Sequence, residues 1–228
     1  KVDGLQKMGE YIEMIKAEYG YKGVYVTSRD GIVIAATEKE WISSRIVSND
    51  YCREALNGNI FISKIQQLAQ AESKSEDNTE APVLFISSPI TDSDNVIIGA
   101  VILKVDTVLL TDIMKTANLG KTGETFLINR EGYMLTESRF AHDLKTAGLI
   151  QKRTALELRV VSPHTGKLTD GARKCLSGND GYDTEGYINY DGQKVLGAWC
   201  WIPEYDCGLL AQINISEGYG AAYSLKKF

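Results

Sequence analysis

The residues that could do chemistry are few and stand apart. His142 and His164 lie in different segments, with no carboxylate or thiol at metal-ligand spacing. No Gly-x-Ser-x-Gly elbow accompanies them, so a small hydrolase or transferase built on either histidine is a minor reading. Gly120-Lys121-Thr122 has the ending of a phosphate-binding loop, but position 115 is Lys115 where that loop needs Gly. Asp92, Ser93, Asp94 and Asn95 lack the Gly and the distant Glu of a calcium loop and read as a hairpin turn. The cysteines Cys52, Cys175, Cys200 and Cys207 include no Cys-x-x-Cys pair. Cys200 and Cys207 flank a turn, and either a disulfide or two free thiols fits them. No catalytic set, metal site or cofactor is expected.

Composition narrows the classes further. Lys and Arg number 25 against 30 Asp and Glu, a net charge of −5, so the basic footprint that holds nucleic acid is absent. With 43 % apolar and 24 % charged residues the 228-residue chain is ordinary globular protein. Its longest apolar run, Val96 to Leu103, is far short of the ~20 residues a membrane-spanning helix needs. Lys1 to Gly20 alternates charge with apolar residues, unlike a signal peptide. A soluble fragment or mature soluble protein is the expectation.

Leu5, Met8, Ile12, Ile15 and Tyr19 recur at alternating spacings of three and four, which predicts a long first helix ending at Gly20. The stripe suits packing on the protein's own body, or a short dimerising seam. Next, Gly23 to Thr37 predicts a β-hairpin about Arg29-Asp30-Gly31. Trp41 to Leu56 reads as helical and Ile60 to Ile65 as a strand. Ala71 to Glu80 reads as a solvated loop. Pro82–Ile90 and Asn95–Val105 read as strands, and a helix capped by Asp106 ends at Asn118 to Gly120.

The order then repeats. Val24-Tyr25-Val26-Thr27-Ser28-Arg29-Asp30-Gly31 aligns residue for residue with Thr125-Phe126-Leu127-Ile128-Asn129-Arg130-Glu131-Gly132. Later, Gly186–Tyr190, Lys194–Ile202 and Gly208–Ile215 resemble the strand series of the first half. Two tandem copies of one module, each an antiparallel sheet beginning with a hairpin and with helices inserted before its last strands, explain both observations. The expected fold class is α+β: a helix over 1–22, one module over 23–118 and a second over 119–228.

The segment from Gly120-Lys121-Thr122-Gly123-Glu124 through Phe126, Leu127 and Ile128 to Gly132 resembles the opening of the membrane-proximal half of double Cache (tandem PAS-like) sensor domains. Ser88-Pro89-Ile90, Tyr190-Asp191-Gly192 and Asn49 to Gly58 resemble the same family. The resemblance implies an extracytoplasmic small-molecule sensor, not itself an enzyme, held between transmembrane helices of a signalling protein. The long first helix would continue out of one span, and Glu217 to Phe228 would lead into the next. A sensor histidine kinase is the expected parent; a chemoreceptor, a diguanylate cyclase or a structural spacer are the alternatives.

In that family the membrane-distal module usually holds the ligand. Amino-acid-binding members carry Arg-x-Trp-Tyr on the helical cover and an Asp on a central strand. At the matching places this chain has Asn49, Tyr51 and Cys52, and Lys104 in place of the Asp. The amino-acid clamp is therefore missing, and Lys104 suggests an anionic ligand, helped by Tyr51 and Ser87. Alternatively Lys104 points outward and only its stem is covered. Asn49, Phe85 and Ser63 complete the candidate ligand site. Arg45 reads as solvated, and Tyr182, Tyr190 and Trp199 as core aromatics or the lining of a second cavity.

Overall fold

The computed structural model describes residues 2–67, 81–117 and 119–220. The loop expected over 71–80, Asn118, and the last residues of the Glu217–Phe228 exit lie outside the described residues. The described residues group into two compact units. The first comprises 2–67 and Val83–Asp106; the second comprises 81–82 and Thr107 onward.

In the first unit, helix α1 (Val2–Tyr19) stops where Gly20 takes a φ of +70°. The middle of its stripe packs on the sheet: Ile12 is buried against Val24, Val26 and Ala35, with Met8 and Ile15 beside it. Leu5 and Tyr19, at the ends of the stripe, are exposed. Strands β1 (Gly23–Ser28), β2 (Val33–Ala36), β3 (Phe61–Ile62), β4 (Val83–Thr91) and β5 (Ile97–Asp106) form one antiparallel sheet in the order β2-β1-β5-β4-β3. Alternation sends Val24 and Val26 toward α1, and Tyr25, Val33, Phe85 and Ile102 to the other face. Helix α2 (Asp50–Leu56) covers that second face with Tyr51, Cys52 and Ala55.

The helix expected over Trp41–Leu56 is shorter than its apolar spacing suggests. Only a 3-10 turn at Lys39–Trp41 and α2 form. Between them the backbone runs along the free edge of β2: Ser43 N–H donates to the Val33 carbonyl at 2.8 Å, and Val33 N–H to the Ser44 carbonyl at 2.9 Å. Those bonds satisfy an otherwise open sheet edge and compete directly with helix. Likewise the strand expected over Ile60–Ile65 pairs only at Phe61–Ile62.

In the second unit, β6 (Glu124–Ile128), β7 (Gly181–Ile188), β8 (Lys194–Ile202) and β9 (Cys207–Asn214) follow the order β6-β9-β8-β7. Helices α3 (Thr107–Lys115), α4 (Ala141–Thr146), α5 (Asp170–Leu176) and α6 (Ile215–Gly218) belong to this unit. Helix α3, expected with the first module, groups here because Thr125 Oγ1 donates to the Met114 carbonyl at 2.7 Å. Thr111 Oγ1 also accepts from Glu137 N–H at 2.9 Å. Ala172 and Cys175 of α5 pack against Phe126, Ile128, Trp199 and Leu210.

The repeat read from the letters is visible in hydrogen bonds. Ser28 N–H donates to the Ile32 carbonyl at 2.8 Å, and its aligned residue Asn129 donates to Tyr133 at 2.9 Å. Gly31 and Gly132 both have positive φ, and a Cβ on either would strike Val47 or Leu168. At both turns conformation and space demand glycine.

Candidate ligand-binding site

The six residues singled out in the sequence gather on the α2-covered face of the first sheet. Phe85 and Lys104 are register partners on β4 and β5, and Ser87 faces Ile102. Tyr51 stacks on Phe85 with centroids 4.2 Å apart and an interplanar angle of 20°. Asn49, just before α2, donates from Nδ2 to the Tyr51 hydroxyl at 2.6 Å. Ser87 Oγ donates to the Tyr51 carbonyl at 2.6 Å, and Ser63 Oγ accepts the Phe85 N–H at 2.8 Å. These two hydroxyls are therefore occupied in fixing α2 and β3 to the sheet. Arg45 is exposed.

Lys104 does not point outward. It is 2 % exposed and lies on the Tyr25, Phe85 and Ile102 face. A buried ammonium needs a partner. Glu38, just beyond β2, supplies it, accepting from Lys104 Nζ at 3.2 and 3.3 Å. The Tyr25 hydroxyl also donates to Glu38. Burial, and then the Glu38 carboxylate, push the Tyr25 phenol far above its usual range, so it stays a donor. Gly23 makes room for this cluster: a Cβ there would sit 2.7 Å from the Tyr25 hydroxyl and 2.9 Å from Glu38 Oε2. Burial likewise raises the pKa of the Cys52 thiol on the inner side of α2.

The second unit places a charge at the matching point of its own sheet. Lys104 pairs with Gly23, and in the repeat Gln212 pairs with Glu124. Glu124 is 4 % exposed. It accepts from Ser138 Oγ at 2.6 Å, from Gln212 Nε2 at 3.2 Å and from the Tyr190 hydroxyl. Burial raises its carboxyl pKa against the pull of those donors. Tyr190 and Trp199 are core residues, whereas Tyr182 is exposed.

The order β1-β5-β4-β3 of the first sheet recurs as β6-β9-β8-β7 in the second, where the counterpart of β2 is reduced to an isolated bridge between Ile128 and Met134, so the second module does not open with a full hairpin. The family profile described as Cache domain matches residues 4–222. The chain belongs to the Cache domain family. No curated protein sequence matches it. Among solved structures, the Cache chain is similar to the ligand-binding domain of the Campylobacter jejuni chemoreceptor Tlp3 in complex with L-norvaline. The identity is 14 % and the TM-score 0.59, over 93 % of this chain and 72 % of that one. It is similar to the sensor domain of the V. cholerae histidine kinase DctB at 11 % identity and TM-score 0.53, over 94 % and 80 %. It is also similar to the ligand-binding domain of Mlp24 with asparagine, at 11 % identity and TM-score 0.51, over 97 % and 80 %. Among the described residues no helix is long and apolar enough to cross a membrane.

The Cache segment Gly120 to Glu124 is held by tight geometry. Gly120 has φ +72°, and a Cβ on Gly123 would lie 2.2 Å from the Leu119 carbonyl oxygen. The Glu217 carboxylate of α6 accepts from Lys121 N–H at 2.9 Å, Thr122 N–H at 2.7 Å and Thr122 Oγ1 at 2.5 Å. These bonds hold Glu217 down at about 2. The remaining chemistry-bearing residues stay apart: His142 and His164 are exposed, and all four cysteines are free thiols. Cys207 pairs with Ile202 and Cys200 with Leu209, so the two are not opposite. Burial pushes Cys175 up to about 12 and Cys207 up to about 11.

Sequence reading missed Glu38, Tyr25 and Glu124 as members of charged clusters. Two signals were available. Glu124, Phe126 and Ile128 alternate along β6, which places Glu124 on the core side. A Lys in a buried central strand also requires a carboxylate nearby.

Proposed function

We propose that this Cache chain is the extracytoplasmic ligand-sensing domain of a membrane signalling receptor, with the ligand taken by the first unit. The observation that carries this reading is buried Lys104, paired with a partly buried Glu38, on the helix-covered face of a Cache sheet. Glu38 takes one direction of a three-proton donor, and a ligand carboxylate or phosphate would take another. Lys104, Tyr51 and Asn49 would meet the ligand, Phe85 would floor the site, and Ser63 and Ser87 would hold the frame. Because Lys104 is buried, entry would displace the 38–49 cover or α2, and that displacement would be the signal. A histidine kinase is the proposed output, with membrane anchoring at both ends and a homodimer through α1. A chemoreceptor or diguanylate cyclase would use the same domain.

One observation favours a second reading of the ligand. Glu38 adds a negative charge beside Lys104, so a zwitterion could set its carboxylate on Lys104 and its ammonium on Glu38. Tlp3 with L-norvaline and Mlp24 with asparagine are complexes with zwitterions of this kind.

A thermal-shift screen with succinate, phosphate, methylamine and free amino acids tests both. Ligand at about 100 times its Kd stabilises by roughly 2.7 kcal/mol. A succinate or phosphate response lost in Lys104→Met and kept in Glu38→Gln supports the anion. A response to amino acids alone, lost in both variants, supports the zwitterion. An anion or amino-acid response unchanged by either variant overturns this site, and no response to anions or amino acids leaves a structural spacer; methylamine is the cation control.

A further inference from the structure

Among the described residues of the second unit, Glu124 is the buried carboxylate, and its hydrogen-bond donors Ser138, Tyr190 and Gln212 are all neutral. Neutral donors stabilise a carboxylate but leave its charge uncompensated. A cavity of about 90 Å³ opens on this carboxylate, bounded by Glu124, Gln212, Asn214, Thr122 and Asp191, with the Phe140 ring at its side. That exceeds the ~10–15 Å³ one water occupies and suits an ammonium head with one or two carbons. Asp191 adds a second negative charge, and its field also opposes ionisation of Glu124. The Phe140 ring already carries the Arg139 guanidinium, 5.4 Å from its centroid, so Glu124 and Asp191 supply the attraction at this site. No basic side chain lines this cavity.

We infer that the second unit carries its own binding site for a small primary ammonium cation, seated on Glu124 between Asp191 and Phe140. The site is separate from the one proposed on Lys104, and its charge is opposite. The cation supplies the positive charge that Lys104 gives its carboxylate within the first unit.

The test is a titration of the whole 228-residue chain with methylammonium chloride at pH 8.5, against sodium chloride at equal ionic strength. It is followed by melting point and by amide shifts in nitrogen-15 NMR. A saturable rise of a few degrees is expected, with shifts concentrated at Thr122, Asn189 to Asp191, and Gln212 to Asn214. Glu124→Gln should lower the affinity at least tenfold. Asp191→Asn, an exposed change that leaves the core intact, should lower it about threefold, as for a screened charge. Shifts centred on Glu38 and Lys104, an undiminished response in Glu124→Gln and Asp191→Asn, or no response in the wild-type chain would each overturn the inference.

Discussion

The two units solve one problem in opposite ways. Each buries a charge where its first strand pairs with its last, at Gly23–Lys104 and at Glu124–Gln212. The first unit puts the cation on the last strand, reduces the first-strand residue to glycine, and fills the vacated space with the Glu38 carboxylate. The second puts the carboxylate on the first strand itself and surrounds it with neutral donors. The two sheets thus place a buried charge at the same strand pairing, with opposite sign and on opposite strands. The first arrangement is neutral as a pair. The second keeps a net charge that burial makes unfavourable.

Breaking the first pair should give the largest effect. Lys104→Met leaves Glu38 without its cation and should cost about 3–5 kcal/mol in urea denaturation. The double variant Lys104→Met with Glu38→Leu should recover most of that loss, because it removes both charges. A single-variant cost below about 1 kcal/mol would mean the pair is not the analogue of the Glu124 cluster.

Gly23→Ala sharpens the comparison from the other side. Its new Cβ lies within 3 Å of Glu38 and Tyr25 atoms, so a loss of about 1–3 kcal/mol is expected from overpacking. The same assay reads it.

Glu124→Gln should act in the opposite direction. The folded pKa of Glu124 is raised above its ordinary 4.5, so its favourable contribution is complete below that pH and is lost as pH rises through the folded value. The variant should therefore melt higher than wild type at pH 8, with the difference shrinking toward pH 4.5. A wild-type advantage at pH 8 without added amine would show the carboxylate to be well compensated.

The smallest effect is expected at Glu217. Its pKa is lowered from 4.5 to about 2, so it stabilises the fold above pH 4.5 and loses that contribution as pH falls toward 2. Glu217→Gln should abolish that part of the acid slope and change little at neutral pH. Melting curves from pH 7 to pH 2 would resolve it.

Much of the architecture was legible because it rests on local chemistry. The stripe from Leu5 to Tyr19, the Arg29-Asp30-Gly31 turn and its copy at Arg130-Glu131-Gly132 follow from side-chain periodicity and from backbone angles that only glycine adopts easily. Those same letters carried the duplication and the family. The candidate residues Asn49, Tyr51, Phe85 and Lys104 were reached through the resemblance; Phe85 and Lys104 are paired in the sheet, and Tyr51 of α2, bonded by Asn49, stacks on Phe85.

What tertiary structure alone decided concerns partners distant in sequence. Ser43 and Ser44 were not readable as sheet-edge neighbours, because the edge of β2 that they satisfy exists only once the sheet has formed. Nor could the sequence tell whether Lys104 faced solvent or Glu38, since strand alternation offers two faces and only the covering helix makes one of them interior. Periodicity fixes which residues share a face. Which face is buried, and which charge meets which, is set by long-range packing.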